Sequence, residues 1–268
     1  MFLTIFSISV YLHFDTVLLG ILADNESVGY YSAPLKLVKI IIAVLAAITA
    51  AMFPKMVQFF EQGDLLQFEK MLQQSFELVV SIGIPTAVLV YTLAPEIIYI
   101  LFGSSFELAI APLQITAPLI LIVSLSTIFG FQILSVHSKD SAILKSAVAG
   151  MLFSLIASFL LIPRFKQDGA AYIILCTELL VLSFFIYYST KVIQLKNAKK
   201  VIVREIVFAI PYCILPYLVS LLVISAIAKL IIVLFCAFLW FVLVHFIFVN
   251  TSAFKILVND LFISRIKK

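Results

Sequence analysis

Long apolar runs separated by short polar clusters set the pattern of the chain. The runs cover about 2–22, 34–57, 76–101, 110–135, 142–162, 169–190, 205–225 and 229–249. Each is long enough for an α-helix to cross a hydrocarbon core of ~30 Å. They are continuous rather than alternating, which predicts helices and not the short alternating strands of a lipid-embedded barrel. An all-α integral membrane protein of about eight transmembrane helices is therefore expected. The last boundary rests on one polar break, Ser225 to Lys229. An unbroken helix from Tyr212 to Asn250 would exceed about 50 Å at ~1.5 Å per residue, so a turn is expected at Lys229.

Composition agrees. Of 268 residues, 64% are hydrophobic and only 12% charged, whereas a soluble domain is about half apolar and a quarter charged. A soluble fold of this size could not hide so much apolar surface. The formal net charge of +4 gives no argument for nucleic-acid binding. Cys176, Cys213 and Cys236 lie in apolar runs without CxxC or zinc spacing and are expected to be small buried side chains. His13 and His245 have no cluster of metal ligands around them, so no metal is expected. Walker, nucleophile-elbow, HExxH and dinucleotide motifs are absent from the sequence, so neither a cofactor nor an enzymatic role is expected. The first apolar run lacks a basic n-region and a small-residue cleavage site, which predicts a retained helix rather than a signal peptide.

Basic residues fix the expected orientation. With the N-terminus inside, thirteen lysines and arginines fall on the inner side and five, Lys36, Lys39, Arg164, Lys166 and Lys229, on the outer side. The positive-inside rule then predicts that both termini are cytoplasmic. Within 59–75, Leu65, Phe68, Leu72 and Phe76 recur at helical steps, predicting a short amphipathic helix on the inner surface. Residues 191–204 form the most basic linker, dividing a six-helix unit at 1–190 from two further helices and a basic tail at 205–268.

Charge inside apolar runs is costly, about 2.5–3.5 kcal/mol per group at mid-bilayer on insertion scales. Asp15 lies seven residues before the end of the first run, and Lys39 lies five into the second, counted from Pro34. An ion pair between them is expected. Lys36, Lys39, Ala43, Ala46, Ala47, Ala50 and Pro54 share one face of the second helix. That stripe is either a close seam of small residues with snorkelling lysines or the wall of a solvent-filled, anion-binding cavity. Glu178, near mid-span, is a candidate for proton or cation coupling or a protonated helix contact. Glu96 and Glu107 are expected to be solvated near the outer surface. Pro85, Pro95, Pro112, Pro118, Pro211 and Pro216 are expected to kink their helices.

Ordered matches give these residues a family context. Asp15–Gly20 (DTVLLG), Val28–Ala33 (VGYYSA), Met52-Phe53-Pro54, Pro95-Glu96, Leu101-Phe102-Gly103, Gln132-Ile133-Leu134 and Gly169-Ala170-Ala171 resemble, in order and spacing, the C-terminal lobe of bacterial polysaccharide (O-antigen and capsule repeat-unit) flippases. These belong to the multidrug/oligosaccharidyl-lipid/polysaccharide exporter superfamily. The resemblance spans about residues 10–190, with the remaining helices looking like an extra C-terminal pair. It implies a rocking transporter in the bacterial inner membrane. The implied substrate is a polyprenyl-pyrophosphate-linked oligosaccharide, flipped from the inner to the outer leaflet. Lys36 and Lys39 then fall on a cavity-lining helix and Asp15 on the helix before it.

The family has two pseudo-symmetric lobes, so the resemblance also implies a partial chain. A separate N-terminal lobe, or a polysaccharide polymerase, would be its partner. Competing readings are a drug or cation antiporter of the same superfamily and a non-transporting membrane scaffold. The basic stripe argues against the antiporter, which favours acidic cavity residues. An integral membrane glycosyltransferase or polymerase would need a larger outer loop or a catalytic carboxylate/histidine cluster.

Overall fold

The computed structural model describes residues 2–222 and 225–245. The end of the last predicted span, the predicted basic tail and the side chain of His13 lie outside the described residues. Nine α-helices occur among the described residues: α1 (Phe2–Leu22), α2 (Asn25–Glu61), α3 (Leu65–Thr92), α4 (Ala94–Phe102), α5 (Ile110–Thr116), α6 (Leu119–Ser126), α7 (Asp140–Ser189), α8 (Ala198–Ser220) and α9 (Ala226–Val244). A 3-10 segment, Ser104–Ala109, precedes α5, and a π-helical segment, Thr127–Ser135, follows α6. With no water to satisfy amides in hydrocarbon, intrahelical bonding is the only local solution for these sequences.

Five helices (α2, α3, α7, α8 and α9) are long and apolar enough to cross a membrane; the bent pair Ser104–Thr116 and Leu119–Ser135 makes a sixth. The expected count of about eight is not reached by this measure, for two reasons. The first helix contributes only the shorter apolar stretch Phe6–Leu22. The 50-residue α7 counts once, although its backbone leaves helical geometry at Lys166 (φ 46°, ψ −124°), between the predicted spans 142–162 and 169–190. Positive φ is unfavourable for a residue with a Cβ, so this corner is imposed from outside. Pro163, three residues earlier, already weakens the helix there.

Prolines mark two further breaks. Leu93 separates α3 from α4 directly before the Ala94-Pro95 start, and Pro118 sits in the 42° bend between α5 and α6. By contrast, α8 carries Pro211 and Pro216 without interruption. α2 likewise continues through Pro34 and Pro54.

Some boundaries differ from expectation. The second helix starts at Asn25, capped by Asp24, rather than at Pro34. The predicted surface helix at 59–75 does not form as a separate element. Its residues enter α3 after the turn Gln62–Asp64, and Phe68, Leu72 and Phe76 point into the bundle while Leu65 stays exposed. The basic stretch 191–204 is helical from Ala198 onward, and the last turn falls before Ser225 rather than at Lys229. Cys176 and Cys213 are exposed on the helix surface, not buried; a thiol is apolar enough to face lipid.

Two large cores lie along the bundle, beside a small one of Leu93, Val219 and Val233. One gathers Met56, Phe68, Leu72, Phe76, Ile128 and Leu134; the other gathers Leu19, Tyr31, Val38, Leu113, Ile120 and Ile162. Lipid tails are as apolar as these side chains, so close packing and polar contacts hold the helices together rather than escape from water. Three ion pairs sit near helix ends or corners. Lys166 Nζ meets Asp24 Oδ2 at 2.9 Å, and Lys196 Nζ meets Glu69 Oε2 at 3.0 Å. Lys229 pairs with Glu96, both largely shielded, which corrects the expectation of a solvated Glu96. The α8–α9 pair is tied by Trp240 Nε1 donating to the Phe208 carbonyl at 3.1 Å.

A polar cluster also fixes α8 to α3. Glu205 accepts from Ser81 (3.1 Å) and from Arg204 Nη2 (2.8 Å), and His245 Nε2 lies 3.5 Å from its other oxygen.

The corner in α7 brings backbone close to backbone. A Cβ on Gly169 would lie 2.8 Å from the Leu161 carbonyl oxygen, whereas one on Gly29 would meet nothing within 4 Å. Gly169→Ala is therefore expected to lose about 1–3 kcal/mol, seen as a lower midpoint of thermal unfolding in detergent. Gly29→Ala, inside α2, is expected to be neutral or to gain up to ~1 kcal/mol.

Candidate functional site

Three of the four residues singled out from the sequence converge where α1, α2 and the second half of α7 meet. At the corner between α1 and α2, Asp24 caps α2 by accepting from the Ser27 amide (2.7 Å) and pairs with Lys166. The Lys166 ammonium and the Ser27 amide hold the Asp24 carboxyl down at about 2. Because that value is depressed, the contact is present above the ordinary carboxylate range and is lost only as pH falls towards 2.

Helical rise places the other groups by their distance from this corner. Asp15 is nine residues back along α1, Lys39 fifteen along α2 and Glu178 twelve beyond Lys166. At ~1.5 Å per residue they lie about 13, 22 and 18 Å down the bundle, in the middle of a ~30 Å hydrocarbon layer. Starting α2 at Asn25 therefore puts Lys39 much deeper than a start at Pro34 would.

Asp15 is 1% exposed. Its carboxylate is not in a contact ion pair with Lys39. Oδ2 accepts from the Tyr31 hydroxyl across the α1–α2 hairpin, and Oδ1 accepts from the Thr16 amide (2.6 Å) and hydroxyl (3.2 Å). Tyr31 is fully buried. It wins over Lys39 because it stands two helical turns closer to the hairpin corner, level with Asp15. Lys39 acts through space instead, and on two carboxylates: Asp15 and the buried Glu178. One half-buried cation thus sits among two carboxylates in a low-dielectric layer, where such interactions are strong.

The face of α2 that carries the stripe is open. Tyr31, Leu35, Val38, Leu45, Thr49 and Met56 turn into the bundle. Lys36, Ala43, Ala47, Ala50 and Pro54 are exposed, with Lys39 and Ala46 half-buried at its edge. The small residues therefore do not form a seam with another helix among the described residues. They line a smooth outer wall with Lys36 at the surface and Lys39 reaching inward.

Behind this wall lies the π-helical segment. Gln132, 1% exposed, donates from Nε2 to the Thr49 carbonyl of α2 at 3.4 Å. Gly130 gives way to the Phe185 ring, which a Cβ would approach to 2.7 Å. Segments bonded i to i+5 recur at functional positions because they re-aim side chains within a helix. Sequence reasoning quoted both Tyr31 and Gln132 as motif residues but missed their contacts. It also missed Glu205, whose signal was a carboxylate beside Arg204 at the mouth of an otherwise uncharged run.

This arrangement has relatives. Residues 1–111 match the family described as "Polysaccharide biosynthesis protein", a stretch that holds Asp15, Tyr31, Lys36 and Lys39. An Escherichia coli K12 protein named as an O-antigen transporter is 28% identical over 191 residues, covering 70% of this chain and 45% of that protein. In sequence the chain is similar to proteins of polysaccharide export. Another relative, named as a low-salt glycan biosynthesis flippase of Haloferax volcanii, is 26% identical over 157 residues, covering 59% of this chain and 33% of that protein.

The fold is shared more widely still. The lipid II flippase MurJ in its inward closed conformation superposes with a TM-score of 0.72 at 12% identity, over 91% of this chain and 52% of that one. At that identity the likeness shows the fold alone. The chain thus spans about half or less of the length of these proteins. It is a multi-pass membrane protein with the flippase fold.

The Asp15–Tyr31 contact should be energetically coupled. Tyr31→Phe is expected to lose about 1.5–3 kcal/mol of stability, the range for a buried hydrogen bond to a charged group. Asp15→Asn, which still accepts from Tyr31, should lose less. Thermal unfolding of Asp15→Ala, Tyr31→Phe and the double variant should show coupling of about 0.5–3 kcal/mol; additivity would disprove it.

Proposed function

We propose that this chain forms the C-terminal lobe of a flippase that moves a polyprenyl-pyrophosphate-linked oligosaccharide across the bacterial inner membrane during surface-polysaccharide synthesis. The observation that carries this reading is the open wall of α2. It bears small residues along its length, Lys36 at the surface and Lys39 at mid-depth, with Asp15 and Glu178 buried behind it. A pyrophosphate crossing a low-dielectric layer needs fixed positive charge close by, and small side chains leave room for the bulky sugars. The names of the relatives support the same substrate class.

In this mechanism the pyrophosphate leaves the inner leaflet and is met by Lys39 and Lys36 in turn, while the polyprenyl tail stays in lipid. Arrival of an anion near Lys39 draws the ammonium away from Asp15 and Glu178. Glu178 then takes up a proton or cation, which couples the step to an ion gradient. The wall faces a second lobe supplied by a separate chain or by a longer form of this one; a polysaccharide polymerase is a further partner. The unit at 1–190 moves as the rocking lobe, 191–204 links it to the last two helices, and both termini are cytoplasmic. No catalytic residue is assigned.

Deleting the reading frame and labelling lipid-linked intermediates by leaflet is the test. The expected result is loss of surface polymer with lipid-linked units retained on the cytoplasmic side. The Lys36→Gln/Lys39→Gln variant should restore about tenfold less export or worse, while Lys39→Arg should restore most of it. Unchanged polymer and leaflet distribution after deletion would overturn the reading.

A further inference from the structure

At the opposite end of the bundle from the Asp24–Lys166 corner lies a cleft that the transport reading does not use. It has a volume of about 350 Å³ and lies between the start of α3 and the linker from α7 to α8. Leu66, Leu72, Ile193 and Leu195 form its walls, and Glu69, Lys70 and Lys196 stand at its rim. We propose that this cleft holds the headgroup and first methylenes of one anionic glycerophospholipid from the surrounding leaflet.

Charge selects the occupant. Glu69 is neutralised by Lys196 at 3.0 Å, whereas Lys70 is exposed and forms no salt bridge among the described residues. Two lysines and one glutamate leave the rim with a net +1. A phosphodiester with one negative charge cancels it. A zwitterionic headgroup brings its own cation and leaves the excess unmatched. Lys191, Lys199 and Lys200 flank it in the same segment and extend the positive field, which draws in anionic lipid headgroups.

Position and size select a lipid rather than a soluble anion or the transport substrate. Leu66 is 74% exposed and its neighbour Leu65 55%, beside charged groups at a helix end. Such a mixture fits the membrane–water boundary, where acyl chains cover the leucines and headgroups reach the lysines. The volume falls at the low end of small-molecule sites, about 300–1,000 Å³, enough for a headgroup and not for an oligosaccharide. A lipid seated there pins the α7–α8 linker against α3. The inference rests on the multi-pass placement of the chain and not on the flippase reading, so the two can fail separately.

Native mass spectrometry of the full chain from mixed micelles tests it, with phosphatidylglycerol, phosphatidylcholine and soluble glycerol 3-phosphate as probes. One phosphatidylglycerol should be retained per chain, about tenfold or more tighter than phosphatidylcholine. Lys70→Gln/Lys196→Gln turns the rim net negative and should bring phosphatidylglycerol down to the phosphatidylcholine level. Glu69→Gln should tighten it, and Ile193→Trp, which fills the cleft, should abolish the preference. Lys70 and Lys196 are exposed, so the thermal midpoint of the double variant should match wild type. Equal retention of the two lipids, or wild-type retention by the double variant, would overturn the proposal. So would displacement of phosphatidylglycerol by equimolar glycerol 3-phosphate, which would assign the cleft to free phosphate.

Discussion

Hydrocarbon supplies no hydrogen-bond partners, and that constraint organises everything else in this protein. Every stretch of chain in the layer must satisfy its own backbone, which leaves helices as the only form these sequences can take. It also removes the usual reason for apolar side chains to cluster, since lipid is as welcoming as a protein core. What distinguishes one helix arrangement from another is then shape and the placement of polar groups. The structure shows both at work: Gly169 against Leu161 at a corner and Gly130 against Phe185 in the π-helical segment, with ion pairs at the helix ends and buried polar contacts between helices.

The buried polar contacts fall into two sets with different surroundings. Around Glu205, the carboxylate is fully enclosed by Arg204, Ser81 and His245. That set fastens α8, with the end of α9, to α3, and its carboxylate is sealed from the surface behind Arg204. Around Asp15, the carboxylate is satisfied by Tyr31 and Thr16, yet a half-buried lysine whose charge bears on it and on the buried Glu178 lies at the edge of an uncovered wall. A charge arrangement that is locally satisfied but poised at a surface can respond to an incoming ion. A fully enclosed one cannot. This difference in surroundings makes the first set scaffold and the second a candidate site.

Lys39 illustrates why the hairpin matters. Its depth follows from where α2 begins, and α2 begins at Asn25 because Asp24 caps it and Lys166 anchors the cap. Contacts at the rim thus set the height of a cation in the middle of the layer. The same logic holds for Glu178, whose level follows from the break at Lys166.

By itself the sequence determined that the chain is helical and membrane-embedded, because hydrophobic run length is a local property that lipid reads directly. It also placed charge at Asp15, Lys36, Lys39 and Glu178, because a charge in an apolar run stands out whatever the fold. The tertiary structure alone decided partners and levels. Tyr31 rather than Lys39 meets Asp15, the segment 65–76 joins the bundle rather than lying on its surface, and Glu96 is shielded by Lys229. Each of these depends on which helices are neighbours and where each one starts. A tyrosine, a proline and an amphipathic stripe are compatible with several helix starts, so periodicity cannot choose among them. Packing of distant segments does.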